Sequence, residues 1–152
     1  RQHMRKMKVG KVTFTEAYKA VNEYRQKFPQ KAVTFYAQNY PAMGWAVFMA
    51  GGSCPVIPCT DKAFLKDAAA MDVEETNTDE YKKMVKSDIG SIIYSKSGTE
   101  IPVQLSSGKY VLKYIHPASG KIETINKSLK INGLYNLKVP DKKEGIYWFH
   151  KL

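Results

Sequence analysis

Gly108-Lys-Tyr-Val-Leu-Lys-Tyr-Ile-His-Pro-Ala-Ser-Gly120 reads as a strand followed by a turn. Tyr110–Ile115 is rich in aromatic and β-branched residues, and His116-Pro-Ala-Ser-Gly120 carries the Pro and Gly that reverse a chain. Working outward, the period of two persists from Ser91 to the C-terminus. It predicts strands over Ser91–Ser95, Ile101–Leu105, Tyr110–Ile115, Ile122–Asn126, Tyr135–Val139 and Ile146–His150. Lys96-Ser-Gly98, Ser106-Ser-Gly108, Asn132-Gly133 and Pro140-Asp141 separate them as turns. Short strands so closely spaced predict an antiparallel β-sandwich over residues 89–152. Pro102 cannot donate to a ladder, so its strand is expected at an edge. In one regular strand Tyr147 and Trp148 must face opposite sides.

Residues 1–71 have another texture. Thr13-Phe-Thr-Glu16 has the form of a capping box, and Ala17, Val21, Tyr24 and Phe28 follow at helical spacing until Pro29. Ala32-Val-Thr-Phe-Tyr-Ala37 reads as a mostly buried strand. Pro41 suits the first turn of a second helix that is apolar on all sides, and Gly51-Gly52 cap its end. Thr60 is expected to cap a third, short helix carrying Phe64, Leu65, Ala68 and Ala69. Helix, strand and buried helix form the grammar of a β/α unit. One strand makes no parallel sheet, and a parallel barrel takes ~250 residues. Either this half ends a larger barrel or it packs in another way. Residues 72–88, acidic and then basic, read as a polar joint.

Hydrophobic residues make up 43% and charged residues 25% of the 152, which excludes a disordered, collagen-like or coiled-coil chain. The apolar runs are too short for a membrane-spanning helix. Arg1 to Gly10 lead into no apolar segment and do not read as a secretion signal. Residues 1–31 hold nine basic and two acidic groups, so they supply +7 of the formal +10. That arm raises the question of nucleic acid, but no recognised binding motif accompanies it, and a solvated helix face explains the charge.

Cys54 and Cys59 stand alone, with His3, His116 and His150 scattered singly, which does not make a metal site. A disulfide across so short a loop with two prolines is geometrically demanding, and two free, buried thiols are the commoner outcome. Glu74-Glu75 and Asp79-Glu80 lie in the joint, where solvation accounts for them. Tyr110, Tyr114, Tyr135, Tyr147 and Trp148 could form a sugar-stacking platform, although core packing is the commoner fate of such side chains.

Gly44-Trp-Ala-Val-Phe-Met-Ala-Gly-Gly-Ser53, followed by Pro55 and Pro58, resembles the last barrel helix of certain bacterial glycoside hydrolases, typical of gut Bacteroidota polysaccharide degraders. In those proteins a small antiparallel β-sandwich follows the barrel. Gly108–Gly120 and the closing Gly145-Ile-Tyr-Trp-Phe-His-Lys-Leu152 are similar to its last strands. The resemblance runs over residues 12–152. It implies the last β/α elements of a TIM-type barrel in residues 1–71, a joint at 72–88 and a sandwich at 89–152. It also implies an oligosaccharide or polysaccharide ligand, the remainder of a catalytic barrel as partner, a periplasmic or secreted location and no cofactor.

Glycoside hydrolysis usually needs two carboxylates astride the scissile bond. The one barrel-like strand ends Tyr36-Ala-Gln-Asn-Tyr40 and offers none. The catalytic pair is therefore expected upstream of Arg1. Gln38, Asn39 and Tyr40 are the candidate substrate-binding residues, able to hydrogen-bond or stack on a sugar, with a plain polar turn as the alternative. A stand-alone binding sandwich without catalysis is the second reading of the chain.

Overall fold

A computed structural model describes residues 12–35 and 41–152. Its elements are α1 (Phe14–Lys27), α2 (Pro41–Met49), α3 (Lys62–Ala70), β1 (Asp72–Glu74), β2 (Tyr81–Lys86), β3 (Gly90–Ser95), β4 (Glu100–Gln104), β5 (Gly108–Ile115), β6 (Ile122–Ile131), β7 (Leu134–Lys138) and β8 (Gly145–Lys151). The capping box is present: the Glu16 amide donates to the Thr13 hydroxyl, and the Thr13 amide donates to Glu16 at 2.8 Å. The buried face of α1 is Ala17, Tyr18 and Val21, whereas Tyr24 and Phe28 are exposed. Asp61, one residue later than expected, caps α3 by accepting from the Phe64 amide at 2.8 Å. Phe64, Asp67 and Ala68 turn inward while Leu65 is exposed.

Six strands pair in the order β1-β2-β3-β8-β5-β6, all antiparallel, and β4 pairs with β7 in a second, two-stranded sheet. β8 lies between β3 and β5, with Ile92 opposite Trp148 and Leu112 opposite Phe149. Its side chains divide as the period of two requires. Ile146 and Trp148 enter a core shared with α1, α2 and α3. Tyr147 and Phe149 enter a core shared with β4 and β7. The large sheet is thus covered by helices on one face and by the small sheet on the other. Both faces being buried, the middle strands read as nearly continuous apolar runs.

Three expectations need correction. Residues 32–35 form no strand; the Ser53 amide donates to the Val33 carbonyl at 2.7 Å, and the Val33 amide to the Ser53 hydroxyl at 3.2 Å. Among the described residues no strand pairs with it, and the segment is tied to the chain that follows α2. Next, α2 does not wait for barrel partners. Trp45, Val47, Phe48 and Met49 are buried by the chain's own α1, α3 and large sheet, and the Trp45 indole donates to the Pro117 carbonyl at 2.8 Å.

Finally, residues 72–88 are no joint: they contain β1 and β2, which extend the sheet. Lys82 and Lys83 disguise β2. They are 5% and 7% exposed, their stems buried and their ammonium groups bonded. The Lys82 ammonium donates to the Thr78 carbonyl at 2.7 Å and lies 4.8 Å from the centre of the Tyr18 ring. Lys83 pairs with Glu74 and reaches the Pro102 carbonyl at 3.3 Å.

Burial in these cores raises several phenols. Desolvation pushes Tyr18 and Tyr147 from 10.0 to about 12, and Tyr94, bonded to Glu144, is raised further. A raised folded value favours the neutral form. This contribution to stability is complete below pH 10 and is lost as pH rises through about 12. Ultraviolet titration should show these three hydroxyls unionised at pH 11 in the native protein and ionised in denaturant. Equal tyrosinate signals in both states would contradict the packing described.

Candidate functional site: a groove between the sheets

β7 covers only part of the second face of the large sheet, and a groove of about 460 Å³ remains between β7 and the β5–β6 hairpin. Its floor is Leu112, Tyr114, Leu137 and Tyr147. The irregularity in β5–β6 pairing opens it. Leu112 is opposite Asn126 and Lys113 is opposite Thr124, so Ile125 is an extra residue on β6. The bulge leaves Ile125 54% exposed on the groove wall, facing half-buried Tyr135.

The turn before β8 closes one end. The Tyr114 hydroxyl donates to the Glu144 carbonyl and the Tyr147 hydroxyl to the Lys143 carbonyl, both at 2.8 Å. Gly145 makes this fit possible, because a Cβ there would stand 2.6 Å from the Tyr114 ring. The Lys143 ammonium then lies 4.9 Å from the centre of that ring.

Glu123, directly opposite Tyr114, is the carboxylate on the rim. It bonds to His116 Nε2 at 2.9 Å, and the Lys143 and Lys121 ammonium groups lie 3.5 and 4.0 Å away. The hydrogen bond with His116, joined by the attraction of Lys143, holds its carboxyl below the usual range. Asn136 and Lys138 complete the polar edge. An apolar, partly aromatic floor with a few hydrogen-bonding groups at its rim is the usual design of a small-ligand site. A single carboxylate, itself ion-paired, does not supply the pair that glycoside hydrolysis requires.

The expected sugar platform is largely interior. Tyr110 and Trp148 are fully buried, Tyr147 is 1% and Tyr114 5% exposed, and Tyr135 alone of the five keeps an accessible face. Gln38, Asn39 and Tyr40 lie outside the described residues. The acid pairs near β1 and β2 are engaged rather than merely solvated. Asp79 pairs with Lys19 and Lys82, each at 3.3 Å, and Glu80 with Lys96 at 3.4 Å. A larger cavity of about 690 Å³ lies between α1, α3 and β1. Exposed Asp72 and Glu75 stand on its rim, and Glu75 accepts from Gln26. Its Arg25 is turned to the Pro29 and Lys31 carbonyls. Cys59 is buried but Cys54 is exposed, and neither is bonded.

Asp67 was not legible as a special residue. Buried on α3, it accepts from the Trp148 indole at 2.9 Å and bonds to His150 Nδ1 at 2.7 Å. Among the described residues no hydroxyl or thiol hydrogen-bonds to His150, so the pair has no nucleophile to activate. It acts as a tie between α3 and β8. The one sequence signal was the helical spacing that sets Asp67 beside Phe64 and Ala68.

A family described as "Domain of unknown function (DUF6298)" matches residues 1–71, ending at the C-cap of α3. No curated protein matches the sequence. Among solved structures, the chain is similar to a protein described as "Glycoside hydrolase", at 15% identity and TM-score 0.40, over 53% of this chain and 20% of that one. It is also similar to CapF with the inhibitor 3-isopropenyl-tropolone, at 11% identity and TM-score 0.22, over 90% and 44% of the two chains. The capsular polysaccharide assembling protein CapF from Staphylococcus aureus matches at 14% and 0.18, over 72% and 36%. The chain spans about a fifth of the length of the glycoside hydrolase it matches.

Proposed function

We propose that the chain is a non-catalytic, carbohydrate-associated region of a larger polysaccharide-degrading enzyme, and that the groove between the sheets holds a segment of the glycan. The observation that carries this reading is the groove itself, with its buried Tyr114 and Tyr147 floor, accessible Tyr135 and rim of Glu123, Asn136, Lys138 and Lys143. The order of elements, similar to that which follows the barrel in glycoside hydrolases, agrees with it. So does the employment of Glu16, Asp61, Asp67, Glu74, Asp79 and Glu123 in caps, ties and ion pairs, which leaves them in structural roles. The sandwich would buttress the catalytic body, and Gln38, Asn39 and Tyr40 would be a further contact with substrate. The whole protein would work in the periplasm or outside the cell, where polysaccharides are met.

Affinity electrophoresis through gels containing neutral or acidic polysaccharides tests the reading. At least one polymer should retard the protein. Tyr135→Ala should weaken that binding about three- to tenfold, the worth of one aromatic contact, while leaving the fold intact. Unretarded migration in every gel would overturn the proposal.

A further inference from the structure

We infer that the glycan taken by this groove is acidic, its carboxylate or sulfate groups meeting Lys121, Lys138 and Lys143; this rests on the function proposed above. The charge around the groove is asymmetric. Residues 89–152 carry ten lysines against four acids, a balance of +6. At the rim the asymmetry is sharper, for Glu123 is the one acid among the described residues lining the groove, beside Lys138 and Lys143.

Three basic side chains share that carboxylate, two of them lysines. His116 and the ammonium groups of Lys121 and Lys143 lie within 4.0 Å of it. Lysine side chains at 72%, 79% and 46% exposure for Lys121, Lys138 and Lys143 keep donors free for a second anion. Lys138 has Glu100 at 3.1 Å on the outer side of the small sheet pair, a contact open to exchange because both groups are exposed. The larger cavity offers the opposite setting, with Asp72 and Glu75 against an Arg25 already committed to carbonyls. Attraction between such charges acts over about 8–10 Å at ordinary salt, so the rim lysines govern what enters the groove beside them.

Binding of polygalacturonate, chondroitin sulfate and a neutral galactan would be compared in the protein, in K138Q/K143Q and in K109Q/K130Q. The last pair removes the same charge where Lys109 and Lys130 face each other at the far end of β5–β6. The rim pair should weaken acidic-glycan binding about tenfold and the distant pair less than about twofold, as expected for two direct ionic contacts against a change of net charge alone. If Lys143→Gln loosens the turn before β8, K121Q/K138Q carries the same comparison. Polygalacturonate or chondroitin sulfate bound more tightly than galactan supports the inference, and the tighter of the two identifies the acidic group. Equal losses in both double variants, or single-stranded DNA bound as tightly as either acidic glycan, would overturn it as non-specific attraction. Galactan bound as tightly as the acidic polymers would overturn it while leaving the function above in place. No binding to any glycan would overturn both.

Discussion

Gly44→Ala is expected to destabilise the protein by about 3 kcal/mol, at the upper end of what overpacking costs. The sign is the informative part. In an exposed helix interior the same change would stabilise by about 1 kcal/mol, because glycine is the poorer helix former. At Gly44 the backbone of the following loop lies directly on α2, and an added Cβ would stand 1.7 Å from the Val56 carbonyl oxygen. That neighbour is main chain and cannot rotate away. The helix cannot shift freely either, since the next residue, Trp45, is fully buried and bonded to the Pro117 carbonyl. Thermal unfolding should show a midpoint lowered by roughly 10 °C for a domain of this size. An unchanged or raised midpoint would show that residues 53–58 do not pack on α2 as described.

Asp67→Ala should cost a comparable amount, about 3 kcal/mol, since it leaves a buried indole N–H and a histidine N–H without their acceptor. The Trp148 ring is fully buried against Phe64, so water cannot replace the carboxylate without opening the core. Asp67→Asn should cost less, for both donors meet the same oxygen, Oδ2, and an amide oxygen in its place still accepts, without the charge. Denaturant unfolding gives the ranking, and the indole N–H resonance of Trp148 should shift strongly in both variants. A fully stable Asp67→Ala protein would mean that the tie between α3 and β8 is dispensable.

The strands of the sandwich were legible because Tyr110–Ile115 and Ile146–His150 are short runs rich in aromatic and β-branched residues set between glycine-containing turns. β1 and β2 were not. Lys82 and Lys83 look solvated in sequence, and only the fold reveals the carbonyls, the Glu74 carboxylate and the Tyr18 ring that accept their ammonium groups. Trp45–Met49 correctly announced a buried helix, but hydropathy cannot say what does the burying. The aromatic residues of β5 and β8 read first as core and only second as a sugar platform, and Tyr110, Tyr114, Tyr147 and Trp148 are indeed buried. The groove depends instead on the extra Ile125 in β6, an irregularity that leaves no mark in composition. Asp67 was hidden for a similar reason: its partners are 81 and 83 residues away.

The most direct test of the account is a chemical-shift titration of isotope-labelled protein with oligosaccharides cut from whichever polysaccharide retards it. The account predicts saturable shifts concentrated at Glu123, Ile125, Tyr135, Lys138 and Lys143, with the residues around Asp72 and Glu75 unmoved. Shifts confined to the larger cavity between α1, α3 and β1, or no saturable shifts at all, would contradict it.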